Sequence, residues 1–182
     1  SVSVENNGES VETQGMPFEI IVPLNVGENH ITVTATDAAG LTTSKQYYVI
    51  RLVTDRVQAD VDELNDKGTY NASDLNRVNI AMDYINSWML EAGYSSGFAG
   101  QGITWTVEDI PVQSQMAAYL ANVEALKGVF ALPGVPDAPE TMQFLSYIDA
   151  NNIETILVMI DTVRPRMERS WFYADEIFCG EV

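Results

Sequence analysis

The hydrophobic pattern of this chain changes once, close to Leu52, and that change limits the folds the chain can adopt. Before it, residues 30–36 alternate, with isoleucine, valine and alanine on one face and threonines on the other. A period of two is typical of a half-buried strand. After it, apolar residues recur every three or four positions, the spacing of amphipathic helices. The sequence therefore predicts an α+β protein of two parts, with strands over residues 1–54 and helices over residues 55–182, each with its own core.

Strands with assigned ranges are predicted in the first part over residues 17–22, 30–36 and 41–53, and the alternating start of the chain brings the visible strands to about four. Turn-forming residues separate them, at 24–29 and 37–40, where glycine, asparagine and aspartate suit tight connections. The chain also begins with an alternating Ser-Val-Ser-Val run and without an initiator methionine, which we interpret as a cut inside a longer protein.

This first part resembles the C-terminal half of bacterial Ig-like domains. The resemblance covers residues 2–53 and is carried by Phe18, Val-Pro-Leu at 22–24, the Ile-Thr-Val-Thr-Ala-Thr-Asp-Ala-Ala-Gly run at 31–40 and a closing Tyr-Val strand. It implies a β-sandwich, which would be incomplete because about four strands are visible and a complete sandwich has seven. Either the first strands lie upstream of Ser1 or a partner chain supplies them, and we expect the former.

Five helical segments are predicted in the second part. The predicted first residues or N-caps are Asp55, Ser73, Ser114, Thr141 and either Asp149 or Asn151, and the predicted ends include Gly68, Gly93, Tyr147 and Pro165. Four or five amphipathic helices with short connections suggest a small bundle. We expect Trp88, Trp105 and Trp171 to be partly buried anchors between helices, with sugar stacking as the less favoured alternative.

The chain is strongly acidic, with a net charge of −17. Such a chain repels phosphate backbones and anionic membrane surfaces, so we expect no nucleic-acid partner and no membrane insertion. The charge serves solubility, with divalent-cation binding as the alternative. No apolar run is long enough to cross a bilayer.

The sequence contains few candidate catalytic residues. The one histidine, His30, lies at the start of a predicted strand, and the one cysteine, Cys179, lies near the C-terminus. A Cys–His dyad would require the two parts to fold together. Carboxylates are numerous enough for a glycosidase pair, but most lie on predicted helix faces or ends, where solvation and helix dipoles explain them. We expect no enzymatic activity and no zinc site, because soft ligands are too few.

A weak metal pattern lies at residues 63–74. Its spacing resembles a dockerin-type calcium loop, with Gly68 at the sixth position and an acid at the twelfth. The candidate ligands are Glu63, Asn65, Asn71 and Asp74. Lys67 occupies a ligand position, where its ammonium repels the ion, and the loop occurs once. We therefore expect no cofactor, with calcium as the less favoured alternative and a plain helix–turn–helix as the favoured one.

Residues 55–182 resemble the helical C-terminal module of phage and prophage tail-associated structural proteins of Gram-positive gut bacteria. The ordered matches are residues 54–61, 70–78, 105–111, 114–120, 150–157 and 171–182. The resemblance implies a non-enzymatic structural or attachment module located in a virion tail, with other tail subunits as partners. The alternative is the C-terminal region of a bacterial cell-surface adhesin or cell-wall-associated protein, whose partners would include cell-surface glycans.

The last twelve residues are aromatic enough that we expect them to be a packing element. The side chains expected to fold back onto the helices are Trp171, Phe172, Ile177 and Phe178, with Glu176 and Glu181 as a polar rim.

Overall fold

The computed structural model describes residues 1–13 and 19–170. Backbone contacts divide the chain into two compact units, Ser1–Leu52 and Val53–Val182. In the described residues, the first unit is a four-stranded antiparallel sheet and the second contains four helices, so the predicted α+β composition is confirmed. The division falls two residues before the predicted boundary. The predicted packing of the last twelve residues, Trp171 and Cys179 included, lies outside the described residues.

The sheet has the strand order β2-β1-β3-β4, with every neighbouring pair antiparallel. Its strands are β1 (Val2–Asn6), β2 (Glu9–Thr13), β3 (Gly27–Thr36) and β4 (Thr42–Arg51). Asn7 and Gly8 join β1 to β2 with φ values of 49° and 89°. Positive φ at both positions defines the type I′ hairpin turn, for which Asn-Gly is the preferred dipeptide. The sequence analysis missed β2, although this dipeptide signals the hairpin.

The longest ladder pairs β3 with β4, from Gly27 opposite Arg51 to Thr36 opposite Thr42. Of the predicted strands, 30–36 lies within β3, and 41–53 is shortened to β4. The predicted strand over 17–22 is wrong where it can be assessed, because residues 19–22 are irregular.

The apolar run before Pro23 has no neighbouring strand in the described sheet, and Ile21 is 85% exposed. A strand without a partner cannot satisfy its backbone groups, whatever its composition.

A fully buried asparagine fixes one end of the sheet. Asn29 Oδ1 accepts hydrogen bonds from Asn6 Nδ2 at 3.1 Å and from the Asn25 amide at 2.9 Å. Its Nδ2 donates to the carbonyls of Asn25 and Gly27 at 2.8 and 2.9 Å. This one side chain therefore ties β1, β3 and the segment before β3 together by hydrogen bonds rather than by apolar packing.

The second unit contains α1 (Gln58–Asp62), α2 (Ala72–Glu91), α3 (Gln113–Lys127) and α4 (Tyr147–Asp161), and residues 164–170 are helical again. Helices α2, α3 and α4 contact one another pairwise. The buried apolar side chains of these three helices include Leu75, Val78, Met82, Ile85, Met89, Tyr119, Leu120, Val123, Leu126, Ile153, Ile156, Leu157 and Ile160. These are the faces that the helical spacing predicts. Met116 and Val163, predicted on the same faces, are only half-buried.

Several predicted helix starts need correction. The N-cap of α2 is Asn71 rather than Ser73: Asn71 Oδ1 accepts the Ser73 amide, and the Asp74 carboxylate accepts the Asn71 amide. The helix predicted from Thr141 does not form. Instead Ser146 caps α4 reciprocally with Asp149. In both cases the cap is the residue with an acid three positions later, because that pair satisfies two amides at once.

Two further starts are displaced. The helix predicted over 55–66 is reduced to α1, because the chain turns away at Leu64, which has a φ of 53°. Helix α3 begins one residue before Ser114, and the Gln115 side chain accepts the amide of its N-cap, Val112.

Helix ends agree better with the sequence. Gly93 follows α2 with a φ of 82°, its amide donates to the Leu90 carbonyl, and the Tyr94 amide donates to the Met89 carbonyl. This is the Schellman arrangement that a glycine after a helix predicts. Helix α4 ends at Asp161, and Pro165 lies in the first turn of the next helical segment, where a missing amide costs nothing.

Candidate functional site

Four charged side chains are buried together between the first residues of the second unit, α2 and α4. We call this the ion quartet, which consists of Arg56, Asp74, Arg77 and Glu154. The Arg77 guanidinium binds Glu154 through two bonds, Nε to Oε2 at 3.0 Å and Nη2 to Oε1 at 2.7 Å. Arg56 Nη2 donates to Glu154 Oε1 at 2.8 Å and to Asp74 Oδ1 at 2.9 Å, and Arg77 also donates to Asp74. Two positive and two negative charges therefore balance.

Burial and pairing act in opposite directions on the Arg77 guanidinium. Burial alone would lower the pKa of Arg77, but the hydrogen bonds and negative charges of Glu154 and Asp74 outweigh it and raise that pKa above its usual value. The ion quartet is thus a set of charges stabilised by one another. Removing one member would leave a buried charge without its partner.

The ion quartet also fixes the segment over residues 53–56, which we call the anchor segment. The Val53 amide donates to Glu154 Oε2 at 2.7 Å, and Arg56 Nη1 donates back to the Val53 carbonyl at 2.6 Å. Asn151 of α4 pairs with the Arg56 backbone in both directions, accepting its amide at 3.0 Å and donating to its carbonyl at 2.9 Å. Three hydrogen bonds to its backbone groups therefore bind this irregular segment to α4, and a fourth bond closes within the segment.

A pair of tyrosines lies beside the quartet. The Tyr70 and Tyr119 hydroxyl oxygens are 2.6 Å apart, and the Arg56 guanidinium lies 5.5 Å from the centre of the Tyr70 ring. Burial raises the pKa of both phenols, and nearby Glu154 adds to the increase. Both side chains therefore remain protonated well beyond the range in which a free tyrosine ionises.

Three of the four candidate calcium ligands make other interactions. Asp74 belongs to the ion quartet, and Asn71 caps α2. Asn65 Nδ2 donates to Asp60 at 3.2 Å and to Glu63 at 3.4 Å. Across residues 1–13 and 19–170, no group of three or more histidines, cysteines, aspartates or glutamates is arranged to hold a metal ion. These contacts give no shared coordination geometry, and calcium at these four residues stays the untested, less favoured alternative.

Amide side chains fix the irregular chain between α2 and α3. Asn76 accepts the Trp105 amide at 2.7 Å and donates to the Trp105 carbonyl at 2.8 Å. Asn122 does the same for Ala99, at 3.0 and 3.1 Å. Each asparagine thus pairs with a backbone unit as a neighbouring strand would. The sequence analysis missed these pairs, although Asn76, Asn79, Asp83 and Asn86 recur at helical spacing along one face of α2.

Part of this face stays open as a cleft of about 380 Å³, which we call the polar cleft. Its walls come from α2, from residues 98–104 and from Asn122 of α3. Burial raises the pKa of its Asp83 carboxyl. A second groove, of about 730 Å³ and mostly apolar, lies between the starts of α2 and α3 and residues 140–145.

Of the remaining residues singled out in the sequence, the two described tryptophans are buried and the histidine lies on the sheet surface. Trp88 and Trp105 are 8% and 5% exposed, so they are buried anchors, and neither ring face is open for sugar stacking. Trp88 stacks on Phe130 with ring centres 6.1 Å apart. His30 is exposed on β3, with its ring 5.1 Å from that of Tyr48. Cys179, Glu176 and Glu181 lie outside the described residues, as does Trp171.

No helix in the described part of the chain is both long enough and apolar enough to span a bilayer. Comparison with known proteins gives no assignment: no protein-family model, no curated protein and no solved structure matches this chain. Any functional conclusion therefore depends on the geometry of the ion quartet, the anchor segment and the polar cleft.

Proposed function

We propose that this chain is a non-enzymatic structural or attachment module of a phage or prophage tail, acting through contacts with other subunits or with a surface. The anchoring of residues 53–56 is the observation that carries the proposal. This segment follows Leu52 directly, so any pulling force on the first unit enters the second unit there. Its backbone is bound to Asn151 and Glu154, and its arginine is buried in the ion quartet.

Such an arrangement suits a module that holds position under load. Opening the anchor segment would expose or unpair buried charges, which is costly in a medium of low dielectric constant. The buried ionisable side chains of the quartet are used on one another and on backbone groups. Their arrangement supports a structural role for the buried charges rather than a catalytic one.

The finer fold assignments belong to the same proposal. The four-stranded sheet would be one layer of an Ig-like sandwich, completed by further residues or by a partner chain. In support, Val2 and Val4 of the sheet are buried, whereas Val11 and Tyr47 of the same sheet are 49% and 46% exposed. A sheet needs a second layer over its apolar face. Helices α2, α3 and α4, each in contact with the other two, would form a small bundle.

Fractionation of induced cultures of the source bacterium tests the location. An antibody against the chain should detect it in the density-gradient band of intact virions and label tails in electron micrographs. Recovery in the cell-wall fraction of uninduced cells, with none in the virion band, would contradict the proposal and favour the adhesin alternative. A cytoplasmic location in both cultures would contradict both.

A further inference from the structure

The groove of about 730 Å³ between the starts of α2 and α3 and residues 140–145, which we call the apolar groove, has the lining of a surface that receives large side chains. Among its lining residues, Leu75 and Leu120 are buried, whereas Met116, Met142 and Leu145 are half-buried. Methionine side chains are flexible and adapt to different apolar partners. The apolar groove therefore suits large apolar side chains without requiring a single shape.

Exposed apolar residues continue this surface beyond the lining. Ile110, next to the lining residue Pro111, is 87% exposed, and Phe144, between two lining residues, is 92% exposed. The φ of Phe144 is 58°, a left-handed conformation that is unfavourable for a bulky residue. Neither the backbone nor the ring of Phe144 is thus in a favourable setting in the isolated chain. A cluster of exposed apolar residues around a groove is typical of an interaction site.

The charge around the apolar groove is negative. Glu140 is the one charged residue among those that line it in the described structure. The sequence has no lysine, arginine or histidine over residues 78–126 and 128–163, which include the lining residues of α3 and of the chain before α4. Glu108 and Asp109 add two further carboxylates shortly before the wall that precedes α3. A partner with basic side chains beside its apolar ones would complement this surface.

We propose that the apolar groove binds an amphipathic helix of a partner protein, with large apolar side chains on one face and lysine or arginine beside them. The lining residues lie in helices and irregular chain, so an extended peptide would find no strand edge for its backbone groups. A helix satisfies its own backbone groups and needs only an apolar groove. Its basic side chains would lie near Glu140.

Two other occupants carry the wrong charge. Residues 171–182 contain Asp175, Glu176 and Glu181 and no basic residue, so this segment of the chain would bring carboxylates to an acidic surface. A second copy of the chain has a net charge of −17 and would do the same. The inference rests on the proposed attachment role and names the chemistry of its partner. Its test uses the purified chain, so it can fail while the virion location is confirmed, and the reverse.

Fluorescence anisotropy of a labelled peptide tests the site. The probe is a helix of leucine and lysine about five turns long, with the leucines on one face, titrated with the whole chain at physiological salt. We expect saturable binding. Ala117→Arg should weaken it by about tenfold, because Ala117 lines the apolar groove and an arginine there blocks it and repels the lysines. Ala118→Arg is the matched control, since Ala118 is exposed on the same helix, does not line the groove and gains the same charge.

A second pair of variants tests the charge. Glu140→Gln should weaken binding by about threefold, the effect of losing one exposed ion pair. Glu91→Gln, which removes an exposed charge elsewhere on α2, should bind as the wild type does. A peptide with glutamate in place of lysine should not bind.

Absence of saturable binding, or equal losses in Ala117→Arg and Ala118→Arg, would overturn the proposal. The same holds for equal binding of the glutamate peptide. A dimer in sedimentation velocity that Ala117→Arg abolishes would overturn it in favour of a second copy. Tighter binding of the peptide to Trp171→Ala/Phe172→Ala than to wild type would overturn it in favour of the chain's own last residues.

Discussion

The buried side chains of Ser1–Leu52 and of Val53–Val182 differ in kind. In the described residues, the first unit buries Val2 and Val4 among its apolar residues, together with Asn6 and Asn29. The second unit buries an extensive apolar core from α2, α3 and α4, and it places the ion quartet against that core. Hydrogen bonds therefore carry much of the organisation of the sheet, whereas apolar burial carries that of the helices.

Each unit contains a polar side chain with no solvent exposure, and the two are satisfied differently. Asn29 is neutral and is satisfied by backbone groups and by Asn6. Glu154 is charged and requires two guanidiniums and the Val53 amide. Loss of a charged group from an apolar setting costs more than loss of an amide, because its partners remain buried and charged. The comparison thus predicts effects of different size in the two units.

Glu154→Ala should have the largest effect. It leaves Arg56 and Arg77 with one carboxylate between them, and we expect the free energy of unfolding of the second unit to fall by about 3–5 kcal/mol. Tryptophan fluorescence during urea unfolding measures this unit alone, because all three tryptophans follow Leu52 in the sequence.

The control for this prediction is Glu91→Ala, an exposed position on α2. We expect it to change the free energy of unfolding by less than about 0.5 kcal/mol. A loss of similar size in both variants would show that the buried charges do not organise the unit.

Asn29→Ala should have the next largest effect, and it should act on the first unit. The change removes the hydrogen bonds that Asn29 makes with the buried Asn6 side chain and with the backbone of Asn25 and Gly27, which costs about 1–3 kcal/mol. Amide hydrogen exchange in β1 and β3 should accelerate, while the tryptophan unfolding curve stays unchanged. Glu5→Ala, exposed on β1, is the control and should leave exchange as in the wild type. Slow exchange in Asn29→Ala would mean that apolar contacts suffice for the sheet.

High pH should lower the stability of the second unit through Tyr70 and Tyr119. Burial raises the pKa of Tyr70 and Tyr119 in the folded state, whereas in the unfolded chain each ionises near pH 10. Above about pH 10 the unfolded state therefore loses protons that the folded state retains, and stability falls by up to about 1.4 kcal/mol per pH unit for each tyrosine. Tyr119→Phe should reduce this slope in urea unfolding measured by tryptophan fluorescence. If the slope is the same in Tyr119→Phe and in wild type, the raised pKa of Tyr119 does not contribute to the loss of stability.

Asp83→Asn should have the smallest effect on stability and should raise it. The raised pKa of Asp83 means that the folded state disfavours its charge. Its stabilising contribution is present below about pH 4 and is lost as the pH rises through the folded-state pKa. The variant should melt at a higher temperature than wild type at pH 7 and at the same temperature near pH 3. A lower melting temperature at pH 7 would show that the carboxylate is paired.

The sequence predicted the parts of the fold that depend on local spacing. The apolar faces of α2, α3 and α4 follow from residues that recur every three or four positions, and Gly93 marks the end of α2. Cap positions were displaced where several cap-forming residues are adjacent, as with Asn71 and Ser73. Their choice depends on which residue finds a reciprocal acid, and that is a property of three-dimensional geometry.

The ion quartet was beyond sequence reasoning because its members are far apart in the chain. Glu154 binds Arg56 across 98 positions, and an isolated charge on a helix is usually solvated. One local signal existed: Glu154 falls between Ala150 and Leu157 on the buried face of α4, at helical spacing. A charge within an apolar face predicts a buried partner, although it does not name one.

Amide hydrogen exchange at Val53 and Arg56 in the intact chain tests the central claim most directly, namely that buried charges anchor residues 53–56. If Glu154 and Asn151 hold these amides, both should exchange as slowly as the core of α4, and Glu154→Ala should accelerate Val53 to the rate of an exposed loop. If instead both amides in the wild type exchange as fast as residues 19–22, the segment is not anchored, and the structural role that depends on it is wrong.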